Sequence, residues 1–222
     1  MIKIFGDTSD IEAIRELDKN PLIKGFTTNP TLMNKAGVKD YEKFCKEVLS
    51  ITKKPVSFEV FADEFDEMER QARIISSWGE NVYVKIPITN TKGESSVRLI
   101  NRLTQMGIKI NATAVTQRDQ YINIIPFAPL IVSIFAGRIA DTGEEPRYWF
   151  IEYGLPTAEL LWASPREVLN IYQAEQAGAD IITVTPELLT KYEKMKGKDL
   201  YELSRETVQM FYDDAKESGF VL

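Results

Sequence analysis

The chain of 222 residues contains no histidine and a single cysteine, Cys45. Without histidine there is no Ser-His-Asp or Cys-His relay, no histidine-ligated zinc, and the commonest general base is missing. One cysteine excludes an internal disulfide and a multi-cysteine metal site. Cys45 stands among Tyr41, Phe44 and Val48 at helical spacing and reads as a helix residue without a chemical role. Long apolar runs are also lacking. No uncharged stretch approaches the ~20 residues of a membrane span, and the opening MIKIFGDTSD has no basic-then-apolar leader pattern. The expected location is cytoplasmic. Positive charge is in deficit, 27 Lys and Arg against 33 Asp and Glu, for a net charge of −6. That balance disfavours nucleic acid or an anionic membrane as a general partner, while leaving room for a local basic pocket. Any chemistry must therefore use carboxylates, lysine, hydroxyls, amides or a bound cofactor.

Against these absences, Lys85 stands out because it sits inside the apolar run Val82-Tyr83-Val84-Lys85-Ile86-Pro87. A β-branched run bounded by turn signals reads as a buried strand. Burying an ammonium there costs several kcal/mol unless it is paired or neutralised. Desolvation also favours the neutral amine, the form that attacks a ketone to give a Schiff base. A salt-bridged core lysine is the plain alternative.

Seven further runs resemble strands: Ile2–Phe5, Leu22–Phe26, Val56–Phe61, Ile108–Ala112, Leu130–Ile134, Glu159–Trp162 and Ile181–Val184. Helical patterns lie between most of them, at Ser9–Leu17, Tyr41–Ile51, Glu64–Ser77, Glu94–Met106, Gln117–Ile124 and Pro165–Ala177. Eight β-then-α units, roughly 20–30 residues apart, predict an α/β fold: a single-domain (β/α)8 TIM barrel over residues 1–222. No G-x-G-x-x-G or P-loop follows the first strand, which argues against a Rossmann-type sheet. A further amphipathic segment begins at Asp199, with Leu203, Val208, Phe211 and Tyr212 on it.

The strand ends are polar. Asp7 ends the first run, Thr27-Thr28-Asn29 the second, and Asn111 and Thr113 the fifth; Glu59, Lys85 and Ser133 lie within theirs, and Ser164 follows the seventh. In a barrel these ends converge on one mouth, where active sites are built. Ser9 or Asp10, Asp63, Thr116 and Ser164 are also explicable as helix caps. Capping does not explain Glu59 or Lys85, each flanked by apolar residues.

With those residues in view, the chain resembles the small-subunit transaldolase and fructose-6-phosphate aldolase family of class I aldolases. The resemblance rests on Phe5-Gly6-Asp7-Thr8-Ser9, Gly25-Phe26-Thr27-Thr28-Asn29-Pro30-Thr31, Val84-Lys85-Ile86-Pro87, Asn111-Ala112-Thr113, Gly137-Arg138-Ile139 and Ala163-Ser164. It implies Lys85 as the Schiff-base lysine and Asp7 as the acid/base at the C4 hydroxyl. Glu59 and Thr113 would hold a proton-relaying water, and Asn29 and Asn111 would bind the dihydroxyacetone hydroxyls. Thr27 or Thr28 would line the pocket floor, and Ser133, Arg138, Ser164 and Arg166 would bind the anionic end of the sugar. Two arginines suit a phosphate because guanidinium pairs with it bidentately.

Glu59 and Phe135 resemble the transaldolase branch, since the aldolase branch has glutamine and tyrosine there. The implied activity is transfer of a dihydroxyacetone unit from a ketose phosphate, by default fructose 6-phosphate, to an aldose phosphate, without metal or organic cofactor. The alternatives are aldolase-type release of dihydroxyacetone and transfer from a modified, for example sulfonated, ketose. A silent ligand-binding barrel would have no reason to keep Asp7, Glu59, Lys85, Asn111 and Thr113 together. The implied partners are sugar phosphates and further copies of the chain, in a ring-based decamer, with the segment 199–222 reaching a neighbour.

One stretch departs from the family pattern. Between Arg138 and Ser164 the sixth barrel helix is shortened and replaced by the aromatic-rich run Gly143-Glu144-Glu145-Pro146-Arg147-Tyr148-Trp149-Phe150-Ile151-Glu152-Tyr153-Gly154. The expectation is that its aromatics pack on the barrel; the alternative is a reshaped rim that alters the anion recognised. Trp162 is expected to add bulk near the anion site.

Overall fold

The computed structural model describes residues 2–124, 130–151 and 158–221. Eight parallel strands close into a barrel in sequence order: β1 (Lys3–Asp7), β2 (Ile23–Thr27), β3 (Val56–Glu59), β4 (Val82–Pro87), β5 (Ile110–Val115), β6 (Leu130–Ile134), β7 (Ala158–Trp162) and β8 (Ile181–Val184). The ring closes where β1 pairs with β8, Phe5 opposite Thr183. Around it run α1 (Ile11–Lys19), α2 (Pro30–Lys35), α3 (Tyr41–Ile51), α4 (Phe65–Ser76), α5 (Val97–Gln105), α6 (Arg118–Ile122), α7 (Ala136–Asp141), α8 (Tyr148–Ile151), α9 (Leu169–Gln176), α10 (Pro186–Met195) and α11 (Leu200–Glu217). The predicted (β/α)8 barrel is therefore present, with all eight strands near their expected places. No helix among the described residues is long and apolar enough to cross a membrane.

Alternation along the strands sorts the core into two layers. Ile4, Phe26, Phe58, Val84, Ala112, Val132, Trp162 and Val184 face outward and join the main cluster under the helices. Phe5, Ile131, Leu161, Ala163 and Ile181 form a second cluster, with Tyr83 and Phe135 packed on it. Phe5 occupies space that Gly25 leaves open: a Cβ on Gly25 would lie 2.6 Å from the Phe5 ring. The same alternation that puts Phe5 and Tyr83 in the second cluster puts Asp7 and Lys85 two residues on, at the C-terminal end of their strands. The interior is thus apolar low in the barrel and polar at its mouth.

Strand-to-helix turns are fixed by short polar side chains, which satisfy the free N–H groups of the first helical turn. Asp10 Oδ1 accepts from the Ala13 amide, Asn29 Oδ1 from Leu32, Asp40 Oδ1 from Lys43 and Thr185 Oγ1 from Leu188. Of the other expected caps, Asp63 instead accepts from the amide and hydroxyl of Thr91, which pins the loop after β4. Ser164 caps no helix; α9 begins after Val168.

The region between β6 and β7 is the shortened part of the helical ring. α7 has 6 residues and α8 has 4. Phe150 of α8 is buried and stacks on Trp162, ring centroids 5.1 Å apart and planes at 17°. Trp162 therefore faces the helix layer rather than the barrel mouth, so it does not add the bulk expected beside an anion site. Trp149 is half-buried beneath the Arg118 guanidinium, and Tyr148 is exposed. Residues 152–154 of the aromatic run lie outside the described residues. α11 buries no residue of its own; Leu200, Tyr201, Val208, Met210, Phe211 and Tyr212 are all exposed on it.

Candidate active site

A cavity of about 460 Å³ opens at the C-terminal mouth of the barrel. Its wall takes Asp7 from β1, Thr27 from β2, Glu59 from β3, Lys85 from β4, Thr113 from β5, Ser133 from β6 and Thr183 from β8. Asn29, Phe135, Arg138 and Ser164 complete the rim named by the sequence. Pro30, Thr31, Leu32, Ala114 and Ala163 line it too.

Lys85 is 6% exposed and not alone. Its Nζ donates to the backbone carbonyl of Thr28 at 2.9 Å and lies 3.0 Å from Glu59 Oε2. Strand register explains the pair, because Glu59 and Lys85 are direct neighbours across β3 and β4. The pairing answers the desolvation cost that makes a buried lysine unusual, since an opposite charge and a carbonyl replace lost water. Glu59 is itself steadied from outside the barrel: the Tyr41 hydroxyl on α3 donates to its backbone carbonyl at 2.6 Å. Burial pushes the Tyr41 phenol well above its ordinary range, so it stays a donor.

Asp7 is held differently. Thr27 Oγ1 donates to its carboxylate at 2.7 Å. Burial pushes the Asp7 carboxyl above its ordinary range; Lys85 and the Thr27 hydroxyl pull it back, while the Glu59 charge adds to the rise. Two carboxylates thus flank one amine, and the environment of one of them favours holding a proton.

Asn111 and Thr28 are fully buried and do not line the cavity wall. Asn111 donates to Ser57 Oγ at 3.0 Å and accepts from Ser133 Oγ at 2.7 Å. It thereby ties β3, β5 and β6 together inside the barrel. Thr28 Oγ1 donates to the Ser57 carbonyl. Thr113 Oγ1, by contrast, is buried with no partner among the described residues, beside Lys85 and Glu59 in the same wall. A buried hydroxyl in that state is a ready site for a water or a substrate hydroxyl.

Arg138 lies at the rim with its guanidinium over the Phe135 ring, 5.0 Å from the centroid. No carboxylate among the described residues pairs with it. Arg166 is not brought into the cavity wall: it is exposed and paired with Asp141, Nη2 to Oδ2 at 2.5 Å. Two wall residues adopt left-handed backbone, Ala114 at φ 61° and Ser164 at φ 59°. Non-glycine residues held there store strain, and such strain gathers at functional sites. Ser164 is kept in place by Gly137, whose amide donates to the Ala163 carbonyl at 3.3 Å.

Thr183 and Ser57 were not among the residues singled out from the sequence. Thr183 had a usable signal: one polar residue inside Ile181-Ile182-Thr183-Val184, the same kind of anomaly as Lys85 in β4. Among the described residues no group of three or more cysteine or acidic side chains is placed to hold a metal ion.

A parallel eight-stranded barrel with an amine and two carboxylates at its C-terminal mouth is a (β/α)8 protein with a site where that fold places its chemistry. The particular family follows from comparison with known proteins. The profile of the Transaldolase/Fructose-6-phosphate aldolase family matches residues 4–221, and the chain belongs to that family. A "Probable transaldolase" of Methanococcus maripaludis is 34% identical over 197 residues, covering 86% of this chain and 89% of the relative. "Probable transaldolase 2" of Listeria monocytogenes is 35% identical over 197 residues, 86% and 88% of the two chains. A "Probable transaldolase" of Bartonella tribocorum is 32% identical over 225 residues, 98% of each.

Proposed function

We propose that the protein is a transaldolase that carries a dihydroxyacetone unit from fructose 6-phosphate to an aldose phosphate through a Schiff base on Lys85. The observation that carries this reading is the convergence of Lys85, Glu59 and Asp7, with the unpartnered Thr113 hydroxyl, in one cavity. The Lys85 amine must be neutral to attack the C2 carbonyl of the donor, and Glu59 Oε2, at 3.0 Å, is the group placed to take its proton. When the carbinolamine dehydrates, the C2 oxygen leaves as water with that proton and a second one from the amine nitrogen, the third staying on the iminium, and Thr113 orients the water. The resulting iminium draws the C3–C4 bonding electrons into an enamine. Asp7 accepts the C4 hydroxyl proton as an aldehyde departs, and returns a proton when the enamine adds to the acceptor aldehyde.

Phe135 supports transfer over release. It places an aromatic ring without a hydroxyl at the rim, so this side chain cannot help water protonate the enamine. Arg138 supplies the cation for the terminal phosphate, with the Ser133 and Ser164 hydroxyls on the same wall. Asn29 Oδ1 is spent on capping α2, which leaves its amide nitrogen to offer a donated hydrogen bond to the donor's hydroxyls. We further infer a cytoplasmic, single-domain enzyme that works as an oligomer, in which α11 lays its apolar face on a neighbouring copy. The support for that assembly is that α11 buries none of its apolar residues within its own chain.

The test is borohydride reduction in the presence of fructose 6-phosphate, read by mass spectrometry. A three-carbon adduct on Lys85 is expected, and none on the Lys85→Met protein. A folded wild-type protein that gains no adduct from any ketose tried would refute the Schiff-base reading. Donor turnover without added acceptor would instead show an aldolase.

A further inference from the structure

We propose that Thr183 on β8 is a positioning residue for the acid/base Asp7, acting through Thr27 in a chain of hydroxyls that spans the seam where the barrel closes. The proposal rests on the reading of Asp7 given above. Thr183 Oγ1 lies 2.5 Å from Thr27 Oγ1, and Thr27 Oγ1 lies 2.7 Å from Asp7 Oδ1. Thr183 is 4% exposed, and the Thr183–Thr27 contact is buried, so bulk water does not compete for it.

Hydroxyl counting fixes the direction of the chain. Each threonine has one hydrogen to donate. An ionised Asp7 only accepts, so Thr27 donates to it, and Thr27 must then accept from Thr183. Both hydroxyl dipoles point at the carboxylate, and each bond in such a chain strengthens the next. When Asp7 takes up a proton, it becomes able to donate, and the two hydroxyls can turn over in concert. The chain therefore favours the carboxylate before C–C cleavage and yields to the acid after it.

The groups facing Asp7 come from three strands: Lys85 of β4, Glu59 of β3, and Thr27 of β2, the last backed by Thr183 of β8. Burial and Glu59 raise the Asp7 pKa, whereas Lys85 and Thr27 lower it. Loss of Thr183 frees the Thr27 hydroxyl to rotate and removes its polarisation, so the Asp7 pKa rises further. Activity that needs the carboxylate then disappears at a higher pH as the solution is acidified.

The experiment is the pH dependence of kcat/KM for fructose 6-phosphate with an aldose phosphate acceptor, on wild type, Thr183→Val and Thr183→Ser, with Asp7→Asn as the reference. Thr183→Val keeps the shape of the side chain, and Thr183→Ala serves as a second apolar variant. The acidic limb should move up by about half a pH unit in Thr183→Val, roughly a threefold loss below the limb. Thr183→Ser should restore it, and borohydride trapping on Lys85 should be unchanged in all three. A purely packing role predicts lower thermal stability with the limb in place, and a limb superimposable on wild type in both Val and Ala variants overturns the proposal. Asp7→Asn should lose turnover while Lys85 is still trapped. If it turns over normally, the acid/base reading of Asp7 fails, and this inference fails with it.

Discussion

Gly137→Ala sets two effects of opposite sign against each other. Gly137 lies within α7, where alanine is the better helix former by about 1 kcal/mol. Helix propensity alone therefore predicts a more stable protein. The packing says otherwise: a Cβ on Gly137 would sit 1.6 Å from the Ser164 carbonyl oxygen and 2.7 Å from its carbon. To reach ordinary contact at 3.4 Å, that carbonyl must retreat by about 1.8 Å, the difference between those two separations. A flexible side chain could give that much, but this is backbone, and Ser164 is already held at φ 59°. Overpacking costs about 1–3 kcal/mol, and a backbone carbonyl that must move this far belongs at the top of that range or above it, which exceeds the propensity gain. A net loss of about 2 kcal/mol or more is expected, which lowers the urea midpoint by about 0.7–1 M at a slope of 2–3 kcal/mol/M. The same retreat displaces the Ser164 hydroxyl from the cavity wall, so KM for a phosphorylated donor should rise while Lys85 trapping persists. Equilibrium urea unfolding followed by circular dichroism measures the first effect. A midpoint equal to or above that of wild type would refute the reasoning, because propensity would then have won.

The two arginines should separate in kinetics. Loss of one charge-assisted contact costs about 1.5–3 kcal/mol, so Arg138→Met should raise KM for fructose 6-phosphate roughly ten- to hundredfold. Arg166→Met, which breaks a surface pair with Asp141, should change it several-fold at most; the reverse order would mean that Arg166 leaves Asp141 when substrate binds. Removing residues 198–222 takes away α11 and should lower the mass measured by light scattering or leave an unfolded chain; an unchanged mass with normal folding would refute its placement on a neighbour.

The barrel was legible in the sequence because the strands are short apolar runs and most carry a polar residue at or near their C-terminal end. Leu130–Ile134 and Ile181–Val184 fall on their observed bounds. Periodicity was weaker for pieces too short to show it, and the brief helices α2, α7 and α8 left no pattern to read. Lys85 and Glu59 each stood out as a charge among apolar residues, but their pairing did not. Glu59 is 26 positions away from Lys85 in the chain and meets it only through the parallel register of β3 and β4. Trp162 shows the other limit. Alternation says which residues share a face, and only the neighbouring Phe150 shows that this face points to the helices. Arg166 and Asn111 carry the right chemistry for a sugar site. Their positions, one paired with Asp141 and one bonded between Ser57 and Ser133, follow from contacts that spacing does not encode.

The closure of the ring between β1 and β8 has a consequence for how the protein is made. Asp7 lies on the first strand of the barrel, yet its hydroxyl chain ends on Thr183, in the eighth. Pairings of such wide separation in the chain form late and slowly. A nascent chain stopped before β8 already carries Asp7, Glu59 and Lys85 but lacks the strand that closes the ring. Its amine is present without the enclosure that gives it a task. The site thus draws on the first and the eighth strand together, and a barrel without β8 has Asp7 and Thr27 but not the hydroxyl that backs them.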